Sequence, residues 1–181
     1  MAVRTIVTAE RPGGRGRVVV ASPVGPLALE AAGGALAGVR MDGGGRPGEP
    51  AGLPGTGDLP QAGGVLAEAA RQLRAYFAGE LTEFDLPLLL EGTAFQRAVW
   101  ERLRQIPYGE TTSYGELARR IGRPGASRAV GLANRANPVA IVVPCHRVIG
   151  ADGSLTGYGG GLDRKRFLLA LERRVSGRAL A

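Results

Sequence analysis

Residues 113–125 read Ser113-Tyr114-Gly115-Glu116-Leu117-Ala118-Arg119-Arg120-Ile121-Gly122-Arg123-Pro124-Gly125, and residues 126–138 continue to Asn137-Pro138. Ser113 followed three residues later by Glu116 is a capping-box pattern, and Leu117, Ala118 and Ile121 follow it at helical spacing. Gly122-Arg123-Pro124-Gly125 forces a turn, and a second helix from about Ala126 to Ala136 stops at Asn137-Pro138 because the residue before proline avoids the α region. Helix, tight glycine turn, helix is the spacing of a helix-turn-helix, whose second helix here carries Arg128 and Arg135. The same spacing also occurs in proteins that never touch DNA, so it fixes local architecture before it fixes a partner.

Upstream, Thr93 is placed to cap a helix in which Phe95, Val99, Leu103 and Ile106 recur on one face, with Trp100 alongside. Pro107-Tyr108-Gly109 ends it. Further upstream, residues 5–10 and 17–41 read as short strands broken by Ser22-Pro23-Val24-Gly25 and Gly33-Gly34, the pattern of an antiparallel meander. Residues 42–64 are dominated by Gly and Pro and read as a flexible excursion. A helix over 65–78 places Leu66, Ala69, Ala70, Leu73, Tyr76 and Phe77 on one face and closes at Gly79. Downstream, Ile141-Val142-Val143 reads as a buried strand leading into Pro144-Cys145-His146. Residues 150–161 are glycine-rich, with Tyr158 near their end. A last helix runs from Leu162 to about Glu172, and residues 173–181 read as a basic tail.

At 181 residues the chain suits one domain or two small ones, with no apolar run of the ~18–20 residues that a membrane span needs. The N-terminus lacks a signal-peptide pattern, and one cysteine allows no intrachain disulfide, so a reducing, cytoplasmic setting is expected. One Cys and one His cannot supply a usual zinc site, so no metal is expected. The net charge is +7, and it is uneven: residues 1–93 carry −2 and residues 94–181 carry +9. The positive half is the one holding the Cys-His pair, which suits a polyanionic partner; a solvated basic surface in an arginine-rich chain is the alternative.

Cys145 and His146, the chain's single cysteine and single histidine, are adjacent. A buried structural thiol is the plain alternative, but a reactive one needs a base or a positive field. Neighbouring side chains on an extended segment point to opposite faces, so a turn after Pro144 or a bridging water has to join sulfur and imidazole. The imidazole in turn needs an acceptor on its far nitrogen, and Glu172, closing an apolar helical face, is the candidate orienter.

Val143-Pro144-Cys145-His146-Arg147-Val148 resembles the active-site signature of the O6-alkylguanine-DNA alkyltransferases. Phe95 to Trp100, Ile106 to Thr111, Ser113-Tyr114-Gly115, Arg128 to Gly131, Asn137-Pro138 and Gly157 to Leu162 resemble further blocks of that family in the same order. Residues 93–172 are covered almost continuously, and the first 92 more loosely. The resemblance implies an α+β fold: a ribonuclease-H-like antiparallel sheet with a helix over 1–85, and a winged-helix-like helical domain over 93–172. It implies that Cys145 accepts the alkyl group, with His146 as base acting through a water and Glu172 as orienter. Asn137 would brace the helices against buried backbone, and Tyr114 would donate a proton toward the departing guanine. Arg128 would enter the duplex in place of the extruded nucleotide, with Ser127, Arg135 and Arg123 as further DNA contacts. Pro144, Val148, Tyr158 and Gly159 would line the base pocket, and backbone groups of Cys145, Val148 and Gly159 would read the guanine edge. The family usually carries Ser at the position of Gly159, so a side-chain contact is lost here.

The implied reaction is single-use repair of O6-methylguanine, with O4-methylthymine left open, requiring no cofactor. The expected partner is double-stranded DNA containing O6-alkylguanine, bound by a monomer, with cooperative assembly along DNA open. A binding-only lesion sensor is disfavoured because such relatives replace the acceptor cysteine. A winged-helix regulator leaves the Cys-His pair unexplained, and a cysteine hydrolase usually draws its two residues from distant positions.

Overall fold

The computed structural model describes residues 14–41 and 64–177; the expected strand at 5–10 and all but the last residue of the excursion expected at 42–64 lie outside them. The chain divides into two compact units, Met1–Leu90 and Glu91–Ala181. The first is an antiparallel sheet with a helix and the second is mostly helical, which makes the fold α+β.

In the first unit, β1 (Arg15–Val20), β2 (Leu27–Ala32) and β3 (Ala35–Met41) form an antiparallel sheet in the order β1-β2-β3. Val18 lies opposite Leu29, and Leu29 opposite Val39, so one face of the meander carries buried aliphatic side chains. The β2–β3 turn is Gly33-Gly34, with φ of 59° and 79°, the doubly left-handed pair that a tight hairpin demands. Helix α1 (Val65–Ala78) contacts all three strands and buries Leu66, Ala69, Ala70, Leu73, Tyr76 and Phe77. Gly79 ends it in the left-handed conformation, its N–H bonded to Tyr76 O at 3.0 Å. The buried Gln72 exchanges two hydrogen bonds with the backbone of Asp85, at 2.7 and 2.9 Å. Those bonds tie the segment after α1 back onto the helix.

In the second unit, α2 (Ala94–Leu103) starts at a complete capping box: Thr93 accepts from Gln96 N, and the Gln96 side chain accepts from Thr93 N. The short strand β4 (Thr112–Ser113) leads into α3 (Tyr114–Arg120). Here only one limb of the expected capping box forms. Ser113 accepts from Glu116 N at 3.1 Å, while the Glu116 carboxylate turns to Arg119 and Arg120 instead. Gly122 and Gly125 hold the turn with φ of 69° and 88°, and α4 (Ser127–Arg135) follows. Helix α4 packs on α2 and α3, and the Trp100 indole N–H donates to Ala133 O at 2.8 Å. Strand β5 (Val148–Ile149) pairs in parallel with β4, and α5 (Leu162–Ser176) closes the unit.

Two expectations need correcting. The apolar run before Cys145 is not a strand. Ile141 sits at φ 72°, the Val143 N–H bonds back to Val139 O, and Cys145–Arg147 form one turn of 3-10 helix. The expected basic tail from 173 onward is also displaced. Helix α5 continues past Glu172 to Ser176 and ends at Gly177 with φ 67°, so Arg173 and Arg174 are helical. A glycine stop outweighs the loss of apolar residues as the end signal.

Candidate active site

Cys145 owes its position to the coil that precedes it. Asn137 accepts the Val139 N–H at 3.1 Å through Oδ1 and donates through Nδ2 to Val143 O at 2.8 Å. One side chain thus closes both ends of the irregular segment just before Pro144. Ile141, β-branched and fully buried, holds a left-handed backbone conformation that costs about 1–3 kcal/mol and persists only where packing over-determines it. The following 3-10 turn places Cys145, His146 and Arg147 in succession, all buried.

His146 has no solvent exposure. Its Nε2 lies 2.8 Å from Glu172 Oε1, and its Nδ1 is buried with no hydrogen-bond partner among the described residues. A carboxylate at Nε2 selects the tautomer with the proton there, which leaves Nδ1 as the basic lone pair. Glu172, likewise fully buried, also receives Arg147 Nε and Nη2 at 2.9 Å each and the Gly109 N–H at 3.1 Å. Arg147 spends a further N–H on Ile106 O at 2.6 Å. Four donors on one carboxylate make this a fully paired buried ion cluster rather than a lone pair of charges.

Burial raises the Cys145 thiol above its ordinary value, and the Asn137 side chain and the Lys165 charge oppose that rise. The resting sulfur is therefore protonated, and a base is needed. Burial likewise lowers His146 below its ordinary 6.5 against the pull of Glu172, so the imidazole is neutral at pH 7 and able to accept a proton. Burial would raise Glu172, but the hydrogen bonds from His146 and Arg147 and the Arg147 charge outweigh it and hold the carboxyl well below the usual carboxylate range.

The sign of the resulting pH dependence is fixed. Below about pH 6.5 the unfolded chain binds a proton at His146 that the native site resists, and below about pH 4.5 it binds another at Glu172. Both contributions to stability are present at neutral pH and are lost on acidification. Urea unfolding free energy should fall between pH 7 and pH 5 by up to about 1.4 kcal/mol per pH unit for the His146 proton, with the Glu172 proton adding its own fall only below about pH 4.5. A flat or rising profile would contradict a neutral buried His146.

Tyr114 opens α3 and is half-buried; its hydroxyl donates to Thr156 O at 3.0 Å, and burial raises its pKa. Tyr158 has a buried hydroxyl without a hydrogen-bond partner among the described residues, and Pro144 and Val148 are buried beside the 3-10 turn. Gly159 is exposed, and a Cβ built on it would lie 3.8 Å from Arg135 O, ordinary contact that leaves room for a serine. Arg123, Arg128 and Arg135 are exposed on the α3–α4 turn and α4, with Ser127 half-buried at the start of α4. These residues face solvent and do not join the Cys145 cluster. A 470 Å³ cavity flanking α5, lined by residues that include Ile149, Leu155, Leu169 and Arg173, contains none of the expected pocket residues.

Three residues escaped the sequence reading. Arg147 follows His146 directly, and a carboxylate buried beside a neutral imidazole calls for a permanent cation. Asn134 lies on the inward face of α4 and donates from Nδ2 to Cys145 O at 3.2 Å. Lys165, the only lysine among 23 basic residues, has no exposure; its Nζ donates to Val148 O at 2.6 Å and Thr156 O at 2.9 Å. Burial lowers its pKa to about 8. The available signals were an amide at a core-facing helical position and a lone lysine in an arginine-rich chain.

Two family models match in sequence. The 6-O-methylguanine DNA methyltransferase ribonuclease-like domain covers residues 18–90, and the DNA binding domain of the same name covers residues 94–174. A methylated-DNA--protein-cysteine methyltransferase of Mycobacterium tuberculosis is 59% identical over 152 residues, covering 84% of this chain and 88% of that protein. One from Mycolicibacterium paratuberculosis is 72% identical over 112 residues, covering 62% of this chain and 68% of its own length. A crystal structure of Mycobacterium tuberculosis OGT in complex with DNA superposes with a TM-score of 0.73 at 55% identity, covering 87% of this chain and 92% of that one. Among the described residues no helix is long and apolar enough to cross a membrane.

Proposed function

Because this chain belongs to the 6-O-methylguanine DNA methyltransferase family, we propose that it repairs O6-methylguanine in duplex DNA by moving the methyl group irreversibly onto Cys145. The observation that supports this reading is the buried cluster of His146, Glu172 and Arg147 on the same 3-10 turn as the buried Cys145: one neutral base and a carboxylate kept ionised by a guanidinium, next in sequence to the one thiol.

The chemistry balances within those groups. His146 Nδ1 takes the thiol proton, directly or through a water, and the sulfur attacks the methyl carbon in line. The S–C bond forms as the C–O6 bond breaks, and the electron pair leaves with the guanine. Tyr114 offers its hydroxyl proton toward the departing ring, so that the proton lost by sulfur is in net terms gained by guanine. Glu172 steadies the imidazolium that forms meanwhile. The product thioether has no acidic proton, and the chain holds no second thiol to receive the group. Each molecule acts once.

A methyl carbon inside the stack is out of reach, so the nucleotide is flipped at a cost of a few kcal/mol. Exposed Arg128 on α4 fills the gap, while Arg123, Ser127 and Arg135 meet the backbone. Asn137 braces the segment under Cys145, and Pro144, Val148, Tyr158 and Gly159 line the base pocket. Backbone groups of Cys145, Val148 and Gly159 read the guanine edge. A cytoplasmic setting, where a lone thiol stays reduced, belongs to the same proposal.

The test is intact-mass measurement after incubation with an O6-methylguanine duplex. A gain of one methylene mass, saturating at one per chain and mapped to the Cys145 peptide, is the expected result. Continued turnover beyond one equivalent would overturn it.

A further inference from the structure

The outer face of α4 carries a side chain that a solvated helix has no use for. Leu132 is 72% exposed, and among the described residues the one other large hydrophobic side chain in the open is Leu162, at 37%. Leu132 is not there through a loose fit of the helix. The opposite face buries Val130, Ala133 and Asn134, and the Trp100 indole fastens the Ala133 carbonyl, so rotating α4 to cover Leu132 would uncover the core. The neighbours of Leu132 at three and four residues, on the same face, are Arg128, Ala129, Arg135 and Ala136, all exposed. The result is an apolar ridge one leucine high, with a guanidinium one turn away on either side and small alanines beside it.

The surrounding charge narrows what can cover that ridge. Residues 121–151 contain no Asp or Glu, so the arginines of α4 and of the turn before it have no acidic partner in their own segment. A protein interface needs about 800 Å² per partner around an apolar core, and one leucine between two alanines is far short of that. A groove of duplex DNA has the complementary layout on the right scale: two ribbons of phosphate, with the C–H surface of the deoxyriboses between them. Arginines at both ends of the ridge meet the ribbons, and the alanines let the helix backbone come close.

We propose that Leu132 seats α4 in a DNA groove by packing on the deoxyribose surface between the phosphate strands. The proposal rests on the reading of α4 as the DNA-binding helix and adds to it a contact of a different physical kind. A guanidinium on phosphate releases a counterion and weakens as salt rises. A leucine on a sugar releases water from apolar surface, so its contribution is the same at every salt concentration.

That difference supplies the test. Anisotropy titrations of a labelled, unmodified DNA duplex over a range of salt compare the wild type with Leu132→Ala, Leu132→Gln and Arg135→Ala. Both Leu132 variants should bind about tenfold more weakly at every salt concentration, the loss expected when most of a leucine side chain stays in water. Their plots of log affinity against log salt should run parallel to the wild type, whereas Arg135→Ala should flatten the slope by about one. Melting temperatures of the Leu132 variants should match the wild type, since the side chain packs on nothing in the free protein. Wild-type affinity in both Leu132 variants overturns the proposal, and so does a loss accompanied by a changed slope or a lowered melting temperature. Failure of the wild type to bind any duplex removes the reading of α4 and this proposal together. Failure of methyl transfer with binding intact would sink the repair reading alone, and the titrations would still decide the role of Leu132.

Discussion

Cys145→Ala protein is expected to take up no methyl group from O6-methylguanine DNA under conditions where the wild type is fully alkylated within one turnover. No substitute exists, because the chain has no other thiol, and the hydroxyls of the site sit in the wrong company: Tyr114 donates to Thr156 O and the Tyr158 hydroxyl has no hydrogen-bond partner among the described residues to take its proton. Binding of the lesion duplex should survive, since the exposed arginines of α4 and the carbonyls around the pocket are untouched. The stability change should also be small. Cys145 is buried and behaves as a small hydrophobe, so loss of the sulfur resembles a one-methyl deletion, about 0.5–1.5 kcal/mol. A filter-binding assay beside the intact mass would separate the two effects. Residual transfer to the alanine variant, at any other residue, would contradict the assignment.

Glu172→Gln is expected to be the most damaging isosteric change in the second unit. The glutamine keeps the shape but presents an NH2 group where the carboxylate now accepts from His146, twice from Arg147, and from Gly109. The Arg147 guanidinium would stay buried with Ile106 O as its remaining acceptor in the cluster. Leaving one member of a buried ion pair uncompensated costs about 3–5 kcal/mol, a large share of the 5–15 kcal/mol that holds a domain together. Urea denaturation should show that loss. Where the variant remains folded, the rate of methyl transfer should drop by roughly 10²–10⁴, the contribution of a positioned base. Double replacement with Arg147→Met should recover part of the stability, because no orphan cation then remains, yet should not restore the rate. Recovery of both together would mean that Glu172 serves the fold alone.

How much of this was legible depends on whether the code is local. Gly33-Gly34, Gly79 and the Thr93 cap declare their turns and caps within four residues, and each stands where expected, whereas the box expected at Ser113 and Glu116 forms only its Ser113 limb. The meander and the α1 face followed from simple alternation and helical spacing. The approach to Cys145 did not, because Ile141-Val142-Val143 has no period that separates strand from coil. Its shape is imposed by Asn137, acting across two and six residues, and by packing that tolerates φ 72° at Ile141. Glu172 could be nominated from an apolar helical face, but its other partners could not. Arg147 reaches it across 25 residues and Gly109 across 63, and separations of that size leave no mark in a sequence window. Lys165 and Asn134 are the same case: their purpose is visible only once the carbonyls they hold are in place.

The enclosure of Lys165 has one more consequence, for reagents rather than for DNA. Acylating compounds that seek ε-amines find none on the native surface, since the chain's single one is shut inside the second unit. Modification there has to wait for the fold to open, so the rate of lysine acylation becomes a built-in clock for local unfolding around the nucleophile.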